Sequence, residues 1–155
     1  MQIAIGGDHA GFFLKEELLE YVGYLGHEVN HLGAYTFDKD DDYPHFAAAV
    51  ARSVAAGQSE RGIVICGSGV GASVAASKLH GIRASVCHDT YSAHQGVEHD
   101  DINVLCLGAR VIGIELARDL VSVFLNARFS GGERHQRRLN QVDKLDRNMS
   151  NNSMD

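Results

Sequence analysis

The chain has 155 residues, 45% hydrophobic and 22% charged, with a formal net charge of −6. That suits one ordinary domain with its own core, and the missing basic excess argues against nucleic acid as a partner. The three cysteines, Cys66, Cys87 and Cys106, fit neither a disulfide framework nor a zinc ribbon, so reduced thiols and a cytoplasmic location are expected.

Residues 3–6 form a compact apolar run leading into Gly6-Gly7, the profile of a buried strand. No basic segment with a long apolar stretch precedes it, so no signal peptide is expected. From 10 to 25, apolar residues recur at Phe13/Leu14, Leu18, Tyr21/Val22 and Leu25, which is helical spacing, and Gly26 ends that helix. Residues 28–32 read as a second strand. Residues 33–43 are an acidic loop carrying Asp38-Lys39-Asp40-Asp41-Asp42. It lacks the glycine and terminal glutamate of a calcium loop and is expected to be solvated. Pro44 suits the first turn of a helix running to about Ala56.

Residues 62–66, Gly-Ile-Val-Ile-Cys, are a third strand, continuously apolar as strands buried on both faces are. Residues 70–79 are a helix rich in Ala and Ser, 83–87 a fourth strand, 91–98 a helix and 103–107 a fifth strand. A long helix at 112–127 and a largely polar one at 134–146 follow. The stretch 148–155 lacks apolar content and is expected to be a frayed or disordered tail behind a domain of residues 1–147. No apolar stretch approaches the ~20 residues of a membrane span.

Strands alternating with helices imply a single-domain, doubly wound (Rossmann-like) α/β fold. The expected sheet is five-stranded and parallel, in the order 2-1-3-4-5, with a C-terminal helix. In such sheets ligands bind beyond the carboxyl ends of the strands, at the switch point between strands 1 and 3. Asp8-His9 and Cys66-Gly67-Ser68-Gly69-Val70-Gly71 are therefore expected to face one crevice.

The loop 66–71 carries the richest signal. Alternating glycines after a buried strand let the backbone approach a ligand, and N–H groups at the following helix start form an anion or oxyanion cradle. The same field would favour a Cys66 thiolate, and a thiolate facing such a cradle suits proton abstraction beside a carbonyl. A tight turn after a buried cysteine is the plain alternative. Dinucleotide binding is another, since Gly67-Ser68-Gly69-Val70-Gly71-Ala72 fits G-x-G-x-x-A with Asp89 downstream, although that fingerprint normally follows the first strand. The loop alone fits isomerase and dinucleotide domain about equally.

Asp8-His9 could be an acid/base or hydroxyl-binding pair, or a helix cap with an exposed histidine. His99-Asp100-Asp101 could supply another acid/base group, or be a solvated turn before the fifth strand. Arg134 and Arg138 share a helical face and suit a phosphate dianion, with a solvated polar face as the alternative. His27, His31, His80, His88 and His94 read as surface or loop residues, and no metal-ligand pattern completes itself around them.

Six segments in this order resemble the B-type ribose-5-phosphate isomerases and the related galactose-6-phosphate isomerase subunits. They are Gly-Gly-Asp-His-Ala-Gly at 6–11, Asp-Tyr-Pro-His at 42–45, Cys-Gly-Ser-Gly-Val-Gly at 66–71, Lys78 to Gly-Ile-Arg-Ala at 81–84, Asn-Val-Leu-Cys-Leu-Gly-Ala-Arg at 103–110, and Arg-His-Gln-Arg-Arg at 134–138. The resemblance implies aldose–ketose isomerisation of a sugar phosphate through a cis-enediolate, with no metal or other cofactor. Ribose 5-phosphate and ribulose 5-phosphate are the implied pair, and the pentose phosphate pathway the implied setting.

By the same resemblance Cys66 is the base, with Gly67, Ser68, Gly69, Gly71 and Ser73 lining the pocket and cradling the oxyanion. His99 assists ring opening, and Asp8 and Asp100 face sugar hydroxyls. His9, Arg110, Arg134 and Arg138 hold the phosphate. The implied assembly is a homodimer or dimer of dimers with sites at the subunit interface, His99 and Arg110 reaching into the partner's site. Family members often carry Asn where this chain has Asp100 and Thr where it has Ser68. Asp100 keeps a tetrose 4-phosphate, or allose or galactose 6-phosphate, open as substrate. A non-catalytic module binding a nucleotide or sugar phosphate is the alternative from another class.

Overall fold

A computed structural model describes the backbone of residues 1–151 and the side chains of 1–146. The first half of the chain runs β1 (Gln2–Gly7), α1 (Phe12–Tyr24), β2 (Glu28–His31), α2 (Tyr43–Ala55) and β3 (Arg61–Cys66). The second half runs α3 (Val70–Ala76), β4 (Ala84–Val86), α4 (Thr90–Asp100), β5 (Val104–Gly108), α5 (Ile114–Asn126) and α6 (Glu133–Asn151). All strand pairs are parallel, so the chain is the expected doubly wound α/β domain.

The strand order is β2-β1-β3-β5-β4, not 2-1-3-4-5. The reason lies in the last two strands. β5 reads Val-Leu-Cys-Leu-Gly and is buried throughout, whereas β4 is Ala-Ser-Val, each residue half-buried. A strand clad on both faces belongs inside a sheet, and a short one carrying a serine belongs at its edge. Running out to β4 and back to β5 reverses the crossover, so α3 and α4 lie on opposite faces.

Strand alternation sorts the core into two layers. Ile3, Ile5, Ile63, Ile65, Leu105 and Leu107 point to one face, under Leu18 and Val22 of α1, Val97 of α4 and Leu120 and Phe124 of α5. Ala4, Val64, Cys66, Val104 and Cys106 point to the other, under Ala47, Val50 and Ala51 of α2 and Ala72 and Ala76 of α3. The first layer carries most of the burial energy, at roughly 1.5–3 kcal/mol per large side chain. The second is built largely of alanines, which lets α2 and α3 lie close to the sheet and brings the loops before them to its carboxyl edge.

Several element ends differ from expectation. β2 ends at His31, but Leu32 N–H donates to the Ile5 carbonyl (2.8 Å), Gly7 N–H to Gly33 (2.9 Å) and Ala34 N–H to Gly7 (2.8 Å). Loop 33–42 therefore stays tied to β1 before it crosses to α2. His31 is not a plain surface residue: its Nε2 is 2.9 Å from the fully buried Lys15 Nζ, which also pairs with Glu16. Burial and then the Lys15 charge push His31 below its ordinary pKa. His88 is likewise structural, its Nε2 accepting from Gly108 N–H at 2.9 Å.

α4 runs on to Asp100, so His99 and Asp100 occupy a helical turn rather than a loop, and Asp101 closes the helix at φ 50°. The expected tail from 148 onward falls on α6 as far as Asn151, where the backbone is helical, and otherwise lies outside the described residues. Among the described residues no helix is long and apolar enough to cross a membrane.

The β1–α1 turn sits directly on β3. A Cβ added at Gly11 would lie 2.3 Å from the Ile65 carbonyl oxygen. Gly11→Ala is expected to destabilise the fold by about 3 kcal/mol, read as a lower urea midpoint. Gly23→Ala, in the open end of α1 with nothing within 4 Å, is the control and is expected to gain about 0.5–1 kcal/mol.

Candidate active site

β1 and β3 are neighbours, with Gly7 opposite Ile65. The residues that follow each strand therefore leave the sheet together. Asp8 is buried, and its Oδ1 accepts from Gly11 N–H at 3.1 Å, which fixes the turn into α1. Cys66, 4% exposed, ends β3, and its Sγ accepts from Gly69 N–H at 3.1 Å. Gly69 has φ +81° as the residue leading into α3, a conformation that glycine adopts without a Cβ penalty. That turn points an N–H back at the sulfur. Ser68 Oγ accepts from Val70 N–H at 3.2 Å.

The end of β5 overlies this loop. Ala109 N–H donates to the Cys66 carbonyl (2.8 Å) and Arg110 N–H to the Gly67 carbonyl (3.0 Å). The Arg110 guanidinium then stands against Gly67, with Nη1 3.3 Å from where a Cβ would be. Asp8, His9, Tyr43, Cys66, Ser68 and Arg110 face one cavity of about 340 Å³, with Gly67 and Gly71 in its wall. One acid, two basic groups and a thiol thus share a small polar crevice at the switch point.

His9 carries the clearest electrostatic signature. Its Nδ1 lies 2.7 Å from Asp41 Oδ1, and that hydrogen bond, with help from Asp8, raises its pKa above the ordinary 6.5. Asp8, His9 and Asp41 also bring three ligand-type atoms within 4.8 Å of one another.

The expected site residues do not all meet. Asp8, His9, Cys66, Gly67, Ser68, Gly71 and Arg110 line the cavity, and Gly69 acts behind it by holding the sulfur. Ser73 turns away, with Oγ donating to the Ala84 carbonyl at 3.4 Å, so it serves the edge strand instead of the pocket. Arg110, expected to reach into a partner's site, lies over Gly67 of its own chain.

His99, Asp100, Arg134 and Arg138 gather at the seam of α4 and α6, and none of them lines the Cys66 cavity. There His99 stacks on His135 with centroids 4.0 Å apart, and its Nδ1 lies 2.8 Å from Gln95 Nε2. Partial burial, followed by His99, Arg134 and Arg138, lowers the His135 pKa. Asp100 and Arg138 border a second cavity of about 350 Å³ with Ser77 and Arg83.

Two site residues escaped the sequence reading. Tyr43 packs its ring on Gly71, 2.7 Å from where a Cβ would stand. The Asp-Tyr-Pro-His segment that contains it was a usable signal. Asp41 was read as part of a solvated loop, yet its side chain is 10% exposed. Nothing in the five consecutive charged residues 38–42 distinguishes it from Asp40 or Asp42.

A family model described as ribose/galactose isomerase matches residues 3–142. The chain is 46% identical over 145 residues to ribose-5-phosphate isomerase B of Escherichia coli (strain K12), covering 94% of this chain and 96% of the relative. It is 40% identical over 135 residues to a D-erythrulose-4-phosphate isomerase of Pectobacterium atrosepticum, covering 85% and 87%. Among solved structures, ribose-5-phosphate isomerase B of Clostridium thermocellum matches with a TM-score of 0.92 and 44% identity over 96% of this chain and 99% of that one. The Mycoplasma genitalium ribose-5-phosphate isomerase B, solved with bound ribulose-5-phosphate, matches with a TM-score of 0.89 and 38% identity, over 94% and 96%.

The three thiols differ in setting. Cys106 is fully buried, and burial pushes its pKa far up; burial also raises Cys87, while Cys66 opens on the cavity. Iodoacetamide at pH 7.5 is expected to alkylate Cys66 alone in the folded protein, and all three only after unfolding. Peptide mass spectrometry after brief labelling checks this.

Proposed function

This chain belongs to the ribose/galactose isomerase family, and we propose that it interconverts ribose 5-phosphate and ribulose 5-phosphate through a cis-enediolate, with Cys66 as base. Membership in the family makes it a sugar-phosphate isomerase, an aldose–ketose enzyme. The observation that carries the residue assignment is the convergence of Cys66 Sγ, Asp8, His9 and Arg110 on one cavity beyond β1 and β3. Cys66 takes the proton from C2 of the open-chain aldose and returns it to C1. A positioned base of this kind contributes typically ~10²–10⁴-fold.

Backbone N–H groups around Gly67–Gly71, with Ser68 Oγ beside them, hold the developing enediolate oxygen, where one such donor is worth about 3–4 kcal/mol. Asp8 accepts from sugar hydroxyls. His9 and Arg110 supply positive charge for the phosphate. The free cysteines support placing the enzyme in a reducing compartment, the cytoplasm.

Within one chain the residue expected to open the furanose ring does not reach this cavity. His99 is the residue suited to that step, and it lies at the α4–α6 seam, outside this cavity. In our reading a second copy of the chain brings His99, Asp100 and the Arg134/Arg138 pair to the cavity, so the working unit is a homodimer or a dimer of dimers. A second substrate has specific support: Asp100 places a carboxylate in the ring-opening motif, and the family includes isomerases of a tetrose phosphate. The enediolate step is the same in either case, although a tetrose 4-phosphate, whose O4 carries the phosphate, has no furanose ring to open.

Cys66→Ala is expected to fold normally and to lose turnover. In D2O the wild type should place deuterium at the exchanging carbon of one aldose–ketose phosphate pair, and the variant should place none. A panel of ribose, erythrose, allose and galactose phosphates names the substrate by NMR, and retained exchange in Cys66→Ala would displace Cys66 as base. Composite sites have their own test. Cys66→Ala and His99→Asn are each inactive alone, but mixed and reassembled they are expected to recover about a quarter of wild-type activity, since about half the dimers are mixed and each holds one intact site.

A further inference from the structure

Asp41 sits in the middle of a charged run, yet its carboxylate is withdrawn from solvent and spent on one residue. Its Oδ1 accepts from the His9 backbone N–H at 2.8 Å and lies 2.7 Å from His9 Nδ1. Its Oδ2 is buried with no hydrogen-bond partner among the described residues. A carboxylate in that state is costly unless a positive charge stands beside it. Among the described residues His9 is the only hydrogen-bond partner of this carboxylate.

The two contacts fix both ends of the histidine. The backbone contact sets the residue, and the ring contact sets the imidazole plane and commits Nδ1 as a donor. Nε2, on the opposite edge of the ring, has no hydrogen bond among the described residues and belongs to a side chain that lines the cavity. The other titratable or charged groups on that cavity are Asp8 from the β1–α1 turn, Tyr43 from α2, Cys66 from β3 and Arg110 from the β5–α5 loop. The Asp41 hydrogen bond is the largest influence on His9; partial burial opposes the positive ring and Asp8 supports it, so Asp41 decides the balance.

We propose that Asp41 is a positioning residue for substrate phosphate: it clamps His9 so that the ring presents a charged Nε2–H to the cavity. This rests on the reading that His9 binds the phosphate. It adds that the donor's charge and direction come from loop 33–42, which otherwise touches no chemistry. A phosphate monoester is largely dianionic above its second pKa of ~6, where an ordinary histidine is losing its proton. The clamp keeps the cation present when the anion is fully charged.

The sign follows from the raised pKa of His9. The charged pair is complete below 6.5, the ordinary histidine value, and is lost as pH rises through the higher value set by Asp41. Asp41→Asn keeps an oxygen to accept from Nδ1 and removes the negative charge. It therefore separates ring direction from ring charge.

The test is an imidazole 1H–15N titration of His9 in the wild type and in Asp41→Asn, with inorganic phosphate as the probe, together with KM and kcat at pH 6 and pH 8. In the wild type, Nδ1 is expected to carry a proton throughout and His9 to titrate above 6.5, the ordinary value. In Asp41→Asn the midpoint falls. KM rises about tenfold at pH 8 and hardly at pH 6, and kcat stays within about twofold. Ionisation of the substrate phosphate is common to both proteins and cancels in the ratio.

A wild-type His9 that titrates at or below the ordinary value, or whose Nδ1 is unprotonated, overturns the proposal, and this needs no variant to fold. An equal rise in KM at both pH values also overturns it, because a purely structural role acts at every pH. If no sugar phosphate is turned over, the isomerase reading fails by itself, while the His9 titration and its response to inorganic phosphate still decide the clamp.

Discussion

Everything at the site depends on β1 and β3 lying side by side in parallel. With Gly7 opposite Ile65, the two chains leave the sheet at the same height, and Asp8-His9 emerges beside Cys66. The fit is close enough that the β1–α1 turn passes the Ile65 carbonyl with no room for a side chain at Gly11. A slip of one residue in this pairing would turn the apolar set of β1 toward the wrong helix layer, so the large core residues that stabilise the sheet also hold the register of the site.

Three loops are then fastened over that edge by hydrogen bonds from backbone N–H groups, to carbonyls and to the Cys66 and Asp41 side chains. The β5–α5 loop is bonded to the carbonyls of Cys66 and Gly67, which places Arg110. The Cys66–Gly69 turn bonds its own sulfur. Loop 33–42 is tied to β1 at Gly33 and Ala34 and returns through Asp41 to His9. Hydrogen bonds of this kind hold position without filling the crevice, so a cavity survives in a domain whose interior is otherwise closely packed. The alanine-rich layer of α2 and α3 contributes in the same way, by letting Tyr43 and Gly71 meet at its rim.

Charge is divided as well. The Cys66 cavity holds Asp8, His9 and Arg110, while the α4–α6 seam collects His99, Asp100, Arg134 and Arg138. Within one chain the two groups stand apart, and none of the second group lines the Cys66 cavity.

The sequence by itself determined the layered fold, the elements and the crevice, because these follow from local signals: apolar periods, punctuating glycines and the rule that ligands sit beyond parallel strands. It also marked Cys66 and the glycine loop, since that chemistry is written in consecutive residues, and the order of six short motifs named the family. Tertiary structure decided the rest. The order of β4 and β5 turned on which strand could be clad on both faces, a property of the whole sheet. Ser73 left the pocket because an edge-strand carbonyl claimed its hydroxyl. Asp41 became a partner of His9, though 32 residues separate them and its acidic neighbours read alike. Burial and pairing of a single charge depend on what the folded chain brings against it, and no local pattern contains that.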